Sequence, residues 1–381
     1  MESRRYEALD GLRGLVALAI VFYHAPIAHP LRGFAGWANW ELLVDFFFVL
    51  SGFVLMATWR TRLVDGAAFR AFVARRFWRI WPLHFVILFA FFGIELLKAV
   101  LGDHVALPLE EAPFTVSRSW TALMSSILLL HPLNLHGSTT WNATAWSLSA
   151  LFWASVIFGA AALAFRRHFE RMLLPLALAA LLVVAWISPV ALFTTFEAGL
   201  FRALYSVFIG AAACRLVQSD RFILSGSTGL EIAVLLALTS YMLATGVSAA
   251  SFFAPLVFAG VILVFSQGRG LVTAMLESRP LHALGQWSYA IVLVQALVWY
   301  GLRLGLIVTE KLGRLSLAAS EPGDPRVFSF GSPAVDLAAI VALMVLTVVL
   351  AAKAHRFIER PFLFSRSPQA EATGPRHALP A

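Results

Sequence analysis

His24 follows Arg13 by eleven residues in the apolar run 9–25, LDGLRGLVALAIVFYHA, so the helical rise sets its ring about 16 Å along a membrane helix from the guanidinium. An ionisable ring at that depth is costly and faces a bundle interior or a watery cavity rather than lipid. Its ordinary pKa near neutrality suits proton transfer. A packed, hydrogen-bonded histidine that steadies the bundle would fit the same position. Asp45 opens the next apolar segment, ELLVDFFFVLSGF at 41–53, and lies about 22 Å from that segment's basic end at Arg60. Its height is close to that of His24. Antiparallel neighbours would bring the two together, the carboxylate fixing the ring's tautomer and stabilising the imidazolium. A buried ion pair that only locks two helices would need the same heights. Ser51 and Gly52 permit close helix approach, and Ser51 is a poor candidate nucleophile.

A second cluster lies in RAFVARRFWRIWPL at 70–83. Arg75, Arg76 and Arg79 fall within about one helical turn, with Arg75 and Arg79 sharing a face at i and i+4. Guanidinium groups grip phosphates bidentately, so such a turn could hold a phosphorylated cosubstrate. The flanking arginines of any cytoplasmic loop would look alike. No glycine-rich phosphate loop or dinucleotide fingerprint accompanies them, which argues against nucleotide hydrolysis and hydride transfer. No HExxH motif or paired Cys/His spacing suggests zinc, so no metal ligand is assigned. The single cysteine, Cys214, forms no internal disulfide and fits a packing role.

The elements that must position these groups follow from composition. With 60% hydrophobic and 13% charged residues and 32 Phe in 381 residues, the chain reads as an all-α polytopic transmembrane helical bundle. Apolar stretches near 12–29, 41–59, 80–101, 143–165, 172–189, 199–214, 228–246, 250–267, 283–304 and 333–354 predict about ten spans. The stretch 120–133 is too short to cross and reads as re-entrant or interfacial. An uncleaved first span is expected rather than a signal peptide. Arg4, Arg5, Arg13, the run 60–79, Arg166, Arg167, Arg171, Arg215, Arg221, Arg269 and Arg279 then fall on one side with both termini, which is cytoplasmic by the positive-inside rule. The net charge of +8 is on this reading a product of topology, pointing to anionic lipid headgroups and not to nucleic acid. Residues 60–79 read as a basic loop. Outer loops are expected at 102–142, with Asp103, Glu110 and Glu111, and at 305–332. The organisation is a single membrane domain, 1–364, and a disordered cytoplasmic tail, 365–381.

These pieces, in order, resemble one family: the acyltransferase-3 family of integral membrane O-acyltransferases. The matching stretches are LDGLRG and FYHA at 9–25, DFFFVLSGF at 45–53, RRFWRIWP at 75–82, WSLS at 146–149, Arg202 before Phe208 and Gly210, LGQWSYAIVLV at 284–294 and IERP at 358–361. The resemblance implies a bundle in the bacterial inner membrane that takes acyl-CoA from the cytosol as cosubstrate and O-acylates a carbohydrate or glycolipid acceptor of the envelope or of exported polysaccharide. It implies His24 as the catalytic residue, Arg13 as its polar support and the Arg75/Arg79 region near the donor phosphates. Where the family often carries a glutamate after WSLS and one more residue, this chain has Leu151; where it often has a histidine, this chain has Gln295.

The expected chemistry is acyl transfer, with no permanently bound cofactor. His24 serves as general base with Asp45 orienting it, or is itself acylated in a two-step route. Arg13 neutralises the oxyanion or holds a phosphate. Trp146 and Ser147 are candidate acceptor contacts, although interfacial tryptophans are common anchors. The alternatives are a proton-coupled transporter relaying through Asp45, His24 and Arg202, and a catalytically inactive relative.

Overall fold

The computed structural model describes residues 6–34, 36–105, 112–219, 223–224, 226–244, 246–313, 319–321 and 324–364. Arg4, Arg5, Glu110, Glu111, Arg221 and the expected tail 365–381 lie outside them.

Each of the ten apolar stretches becomes a helix, because lipid leaves the backbone no partner but itself. They are α1 (Glu7–Tyr23), α2 (Leu43–Trp59), α3 (Gly66–Val105), α5 (Ala145–Phe165), α6 (Phe169–Ile187), α7 (Gly199–Gln218), α8 (Thr228–Ala244), α9 (Ala254–Gln267), α11 (Arg279–Gly313) and α12 (Pro333–Ala354). Between them lie the short helices α4 (Trp120–Ile127) and α10 (Leu271–Leu276); a single π-helical turn, His355–Glu359, leads into α13 (Arg360–Phe364). Seven helical stretches among the described residues are long and apolar enough to cross a membrane. One of them, Ala145–Ile187, contains both α5 and α6. The chain reverses at Arg166, whose φ of 43° is left-handed. Helices α1 and α8 have 17 residues each, about 26 Å of rise.

Two expectations change. Residues 60–79 are not a loop throughout, since α3 starts at Gly66 and runs 40 residues without interruption. Its charged first turns still have an apolar side, which packs Phe69 and Phe72 on the core. The loop after α11 also carries an antiparallel hairpin, β1 (Ala319–Glu321) and β2 (Asp324–Ser329). Phe328 of β2 exchanges backbone hydrogen bonds with the segment just past α1, accepting from Ala28 N at 2.8 Å and donating to Pro26 O at 2.9 Å.

Glycine sets the closest helix contacts. A Cβ at Gly52 of α2 would collide with the Val207 carbonyl of α7, and one at Gly210 of α7 with the Val49 carbonyl of α2. The same holds between Gly14 of α1 and Leu284–Gly285 of α11. Small residues let backbones meet where lipid gives no hydrophobic drive to association. One apolar core gathers on α2 and α7 with α5, α6 and α9; a second links α1, α3, α11 and α12.

Candidate active site

Between those two cores lies a cavity of about 1580 Å³, larger than the 300–1,000 Å³ usual for a small-ligand pocket. Its wall is laid down by the starts and ends of alternating helices. At one end α1, α3 and α11 begin and α12 ends, contributing Arg13, Arg76, Arg79, Gln286, Lys353 and Arg356. At the other end α1 finishes and α2, α5 and α7 begin, contributing Tyr23, His24, Glu41, Thr144, Ser147 and Thr195. One mouth is therefore strongly basic and the other is not.

Arg13 faces the cavity from its basic half. Its Nε and Nη2 both donate to the Gly285 carbonyl, at 3.0 and 2.6 Å, and Asp10 balances its charge at 3.3 Å. That double bond fixes the register of α1 on α11. Of the three clustered arginines, Arg76 and Arg79 line the cavity. Arg75 does not; its guanidinium lies over the Trp59 ring at 5.5 Å. The i,i+3 pair, not the i,i+4 pair, carries the face turned to the site.

His24 caps the end of α1 and is exposed on the cavity wall. Its Nδ1 lies 2.9 Å from the Ile20 carbonyl oxygen. A carbonyl only accepts, so Nδ1 carries the hydrogen and the neutral ring presents a bare Nε2 lone pair. That tautomer is ready to take a proton.

The expected pairing of Asp45 with His24 is corrected by the structure. Asp45 is fully buried and absent from the cavity lining. Its Oδ2 accepts from Arg202 Nη2 at 2.7 Å and Nε at 3.0 Å, and its Oδ1 accepts from Ser206 Oγ at 2.9 Å. Arg202, itself 0% exposed, also donates to the carbonyls of Thr194 and Glu41, at 2.9 and 3.3 Å, and to the Glu41 carboxylate at 3.5 Å. Asp45 faces α7 while His24 faces the cavity. A backbone carbonyl, not a carboxylate, orients the imidazole. The acids that do line the cavity are Glu41 and Glu359; Glu41, just before α2, is at the same end as His24, and nothing in its spacing singles it out.

Trp146 and Ser147 both line the cavity. The Trp146 ring has the Arg202 guanidinium at 5.5 Å, so the buried ion pair backs this part of the wall. Ser147 Oγ donates to the Thr144 carbonyl at 3.0 Å. Ser149, two residues on, lies behind the wall, where its hydroxyl is 2.8 Å from His131 Nδ1. Burial first, and then His84 and His136, push the His131 pKa down to about 3, so that ring stays neutral at working pH. Leu151 and Gln295, the two departures from the family pattern, both face the cavity. Gln295 is 0% exposed and neither of its amide atoms has a hydrogen-bond partner.

Comparison with known proteins decides the family, since the acyltransferase domain family matches residues 6–352. The chain belongs to the acyltransferase-3 family. Among its relatives, peptidoglycan O-acetyltransferase OatA of Listeria monocytogenes is 33% identical over 129 residues, which is 31% of this chain and 18% of that protein. Protein 2 in picA locus of Rhizobium radiobacter is 33% identical over 152 residues, covering 38% of this chain and 75% of its own. The matched part of this chain thus spans less than a fifth of the Listeria protein. No solved structure matches significantly.

Proposed function

We propose that this protein is a multi-pass acyltransferase of a bacterial inner membrane that moves an acyl group, acetyl in the simplest case, from acyl-CoA to a hydroxyl of a cell-envelope or exported carbohydrate. The observation that carries the reading is one cavity with a cluster of cations at one mouth and the bare Nε2 of His24 towards the other. The family match and the named activity of the Listeria relative support it.

On this reading the basic mouth faces the cytosol. Arg76 and Arg79, with Lys353 at the end of α12 and Arg356 in the π-helical turn that follows, bind the donor's phosphates through charge-assisted hydrogen bonds. The thioester reaches up the cavity to His24, which takes the acceptor's proton as its oxygen attacks the carbonyl carbon. Arg13 belongs to the phosphate end. At about 16 Å along α1 it is too far from His24 to touch the same reacting atoms. Trp146 and Ser147 offer the acceptor an aromatic face and a hydroxyl.

Purified protein supplied with acyl-CoA and an acceptor glycan should release free thiol and add an acyl mass to the glycan. Movement of solute across proteoliposomes without thiol release would replace this reading with a transporter. Surface glycans from cells lacking the protein should lose one acyl-sized adduct, and the sugar that loses it names the acceptor.

A further inference from the structure

An acyl transfer that starts at His24 leaves negative charge on the carbonyl oxygen, and nothing so far described meets it. Arg13 is too distant. Ser147 Oγ donates to the Thr144 carbonyl at 3.0 Å, and Thr144 Oγ1 donates to Asn142 Oδ1 at 2.8 Å and lies 3.2 Å from the Val292 carbonyl. Both hydroxyl hydrogens are committed.

Gln295 differs. Its amide is buried in the cavity wall, with neither Nε2 nor Oε1 hydrogen-bonded. Leaving a buried amide unpaired costs stability, and an amide on the wall of a substrate cavity finds its partner in the substrate. Its height follows from the packing of α1 and α11. Asp10 meets His282 at one end, and at the other the hairpin that follows α11 pairs with the segment just past His24, so the two helices run parallel. Arg13 is bonded to Gly285. Eleven residues on from Arg13 is His24, and ten on from Gly285 is Gln295, so the rises of about 16 and 15 Å bring both to one level.

We infer that Gln295 Nε2–H donates to the carbonyl oxygen of the thioester and stabilises the oxyanion formed when the acceptor attacks. This rests on the acyl-CoA reading above. His24 Nε2 takes the hydroxyl proton as the new C–O bond forms, and the carbonyl π pair moves onto oxygen against the Gln295 amide. The pair returns, the C–S bond breaks, and the leaving thiolate takes the proton back from the imidazolium. A neutral donor suits this depth, because it meets transient charge without placing a permanent cation beside an imidazole that must itself become positive.

The test uses the full-length protein and measures acyl-CoA thiol release with acceptor, and also without it, where water takes the acyl group. Gln295→Met keeps the side chain's length and removes the donor. It should lower kcat about 100-fold, leave the acceptor KM within about twofold, and slow the acceptor-free thioester hydrolysis by the same factor. Gln295→His, which keeps an N–H, should recover most of the loss. Should the Met variant fail to fold, Gln295→Leu must show the same pattern. A role confined to holding the acceptor would raise KM and leave hydrolysis untouched; that result, an unchanged kcat, or a His variant as slow as Met would overturn the inference. Wild-type protein that releases no thiol at all would instead remove the proposed donor, and this inference with it.

Discussion

Asp45 and Gln295 are both polar, both fully buried and both inside the apolar bundle, yet they end in opposite states. Asp45 has every strong acceptor position filled by Arg202 and Ser206, while Gln295 has nothing. A buried polar group with its partners complete holds helices together; one left unpaired on a cavity wall is, on the inference above, kept for something that comes and goes. The α2–α7 contact is accordingly the fixed half of the molecule. On the proposed reading, the cavity wall to which α1 and α11 contribute His24 and Gln295 is a part that meets substrate.

That contrast can be broken in order of expected effect. His24→Ala should cut acyl transfer by about 10²–10⁴-fold with the melting temperature in detergent unchanged; equal activity in the variant would take the proton-transfer role away from the ring. Asp45→Ala should do the reverse, destabilising the protein by about 3–5 kcal/mol because the buried Arg202 loses its close carboxylate and keeps only that of Glu41, at 3.5 Å. Replacing both Asp45 and Arg202 by apolar side chains should cost less than either single change, which a double-mutant comparison of thermal unfolding would show. Arg79→Ala should raise the acyl-CoA KM by about 10-fold or more, the loss of one charge-assisted hydrogen bond, with little change in kcat. Gly52→Ala, which forces a methyl group onto the Val207 carbonyl, should destabilise by about 1–3 kcal/mol. If the alanine variant melted at the wild-type temperature, the close α2–α7 approach would not be what positions Asp45 on Arg202.

The bundle was legible because a helix in lipid is written in a long apolar run: each of the ten runs became a helix, and seven helical stretches among the described residues are long and apolar enough to cross a membrane. What a run cannot encode is rotation about its own axis against a neighbour not adjacent in sequence. Asp45 is therefore expected beside the wrong partner, since Arg202, its true one, lies 157 residues away. The spacing of Arg75, Arg76 and Arg79 showed a common turn but not which pair faced inwards. The start of α3 was hidden for another reason: charge density reads as loop, whereas a helix can leave the hydrocarbon and keep winding. Gln295 was visible as a departure from the family pattern, and its open amide only once the neighbours on the cavity wall were known.

The two backbone bonds between Phe328 and the chain around Ile27 tie the exit of α1 to a hairpin more than 300 residues downstream. Such a clasp holds the backbone two to four residues past His24, and so steadies the chain that carries the imidazole. Thr139, Thr195 and Trp146 line the chamber away from that clasp in sequence, so on the proposed reading they are the wall left for an acceptor to approach.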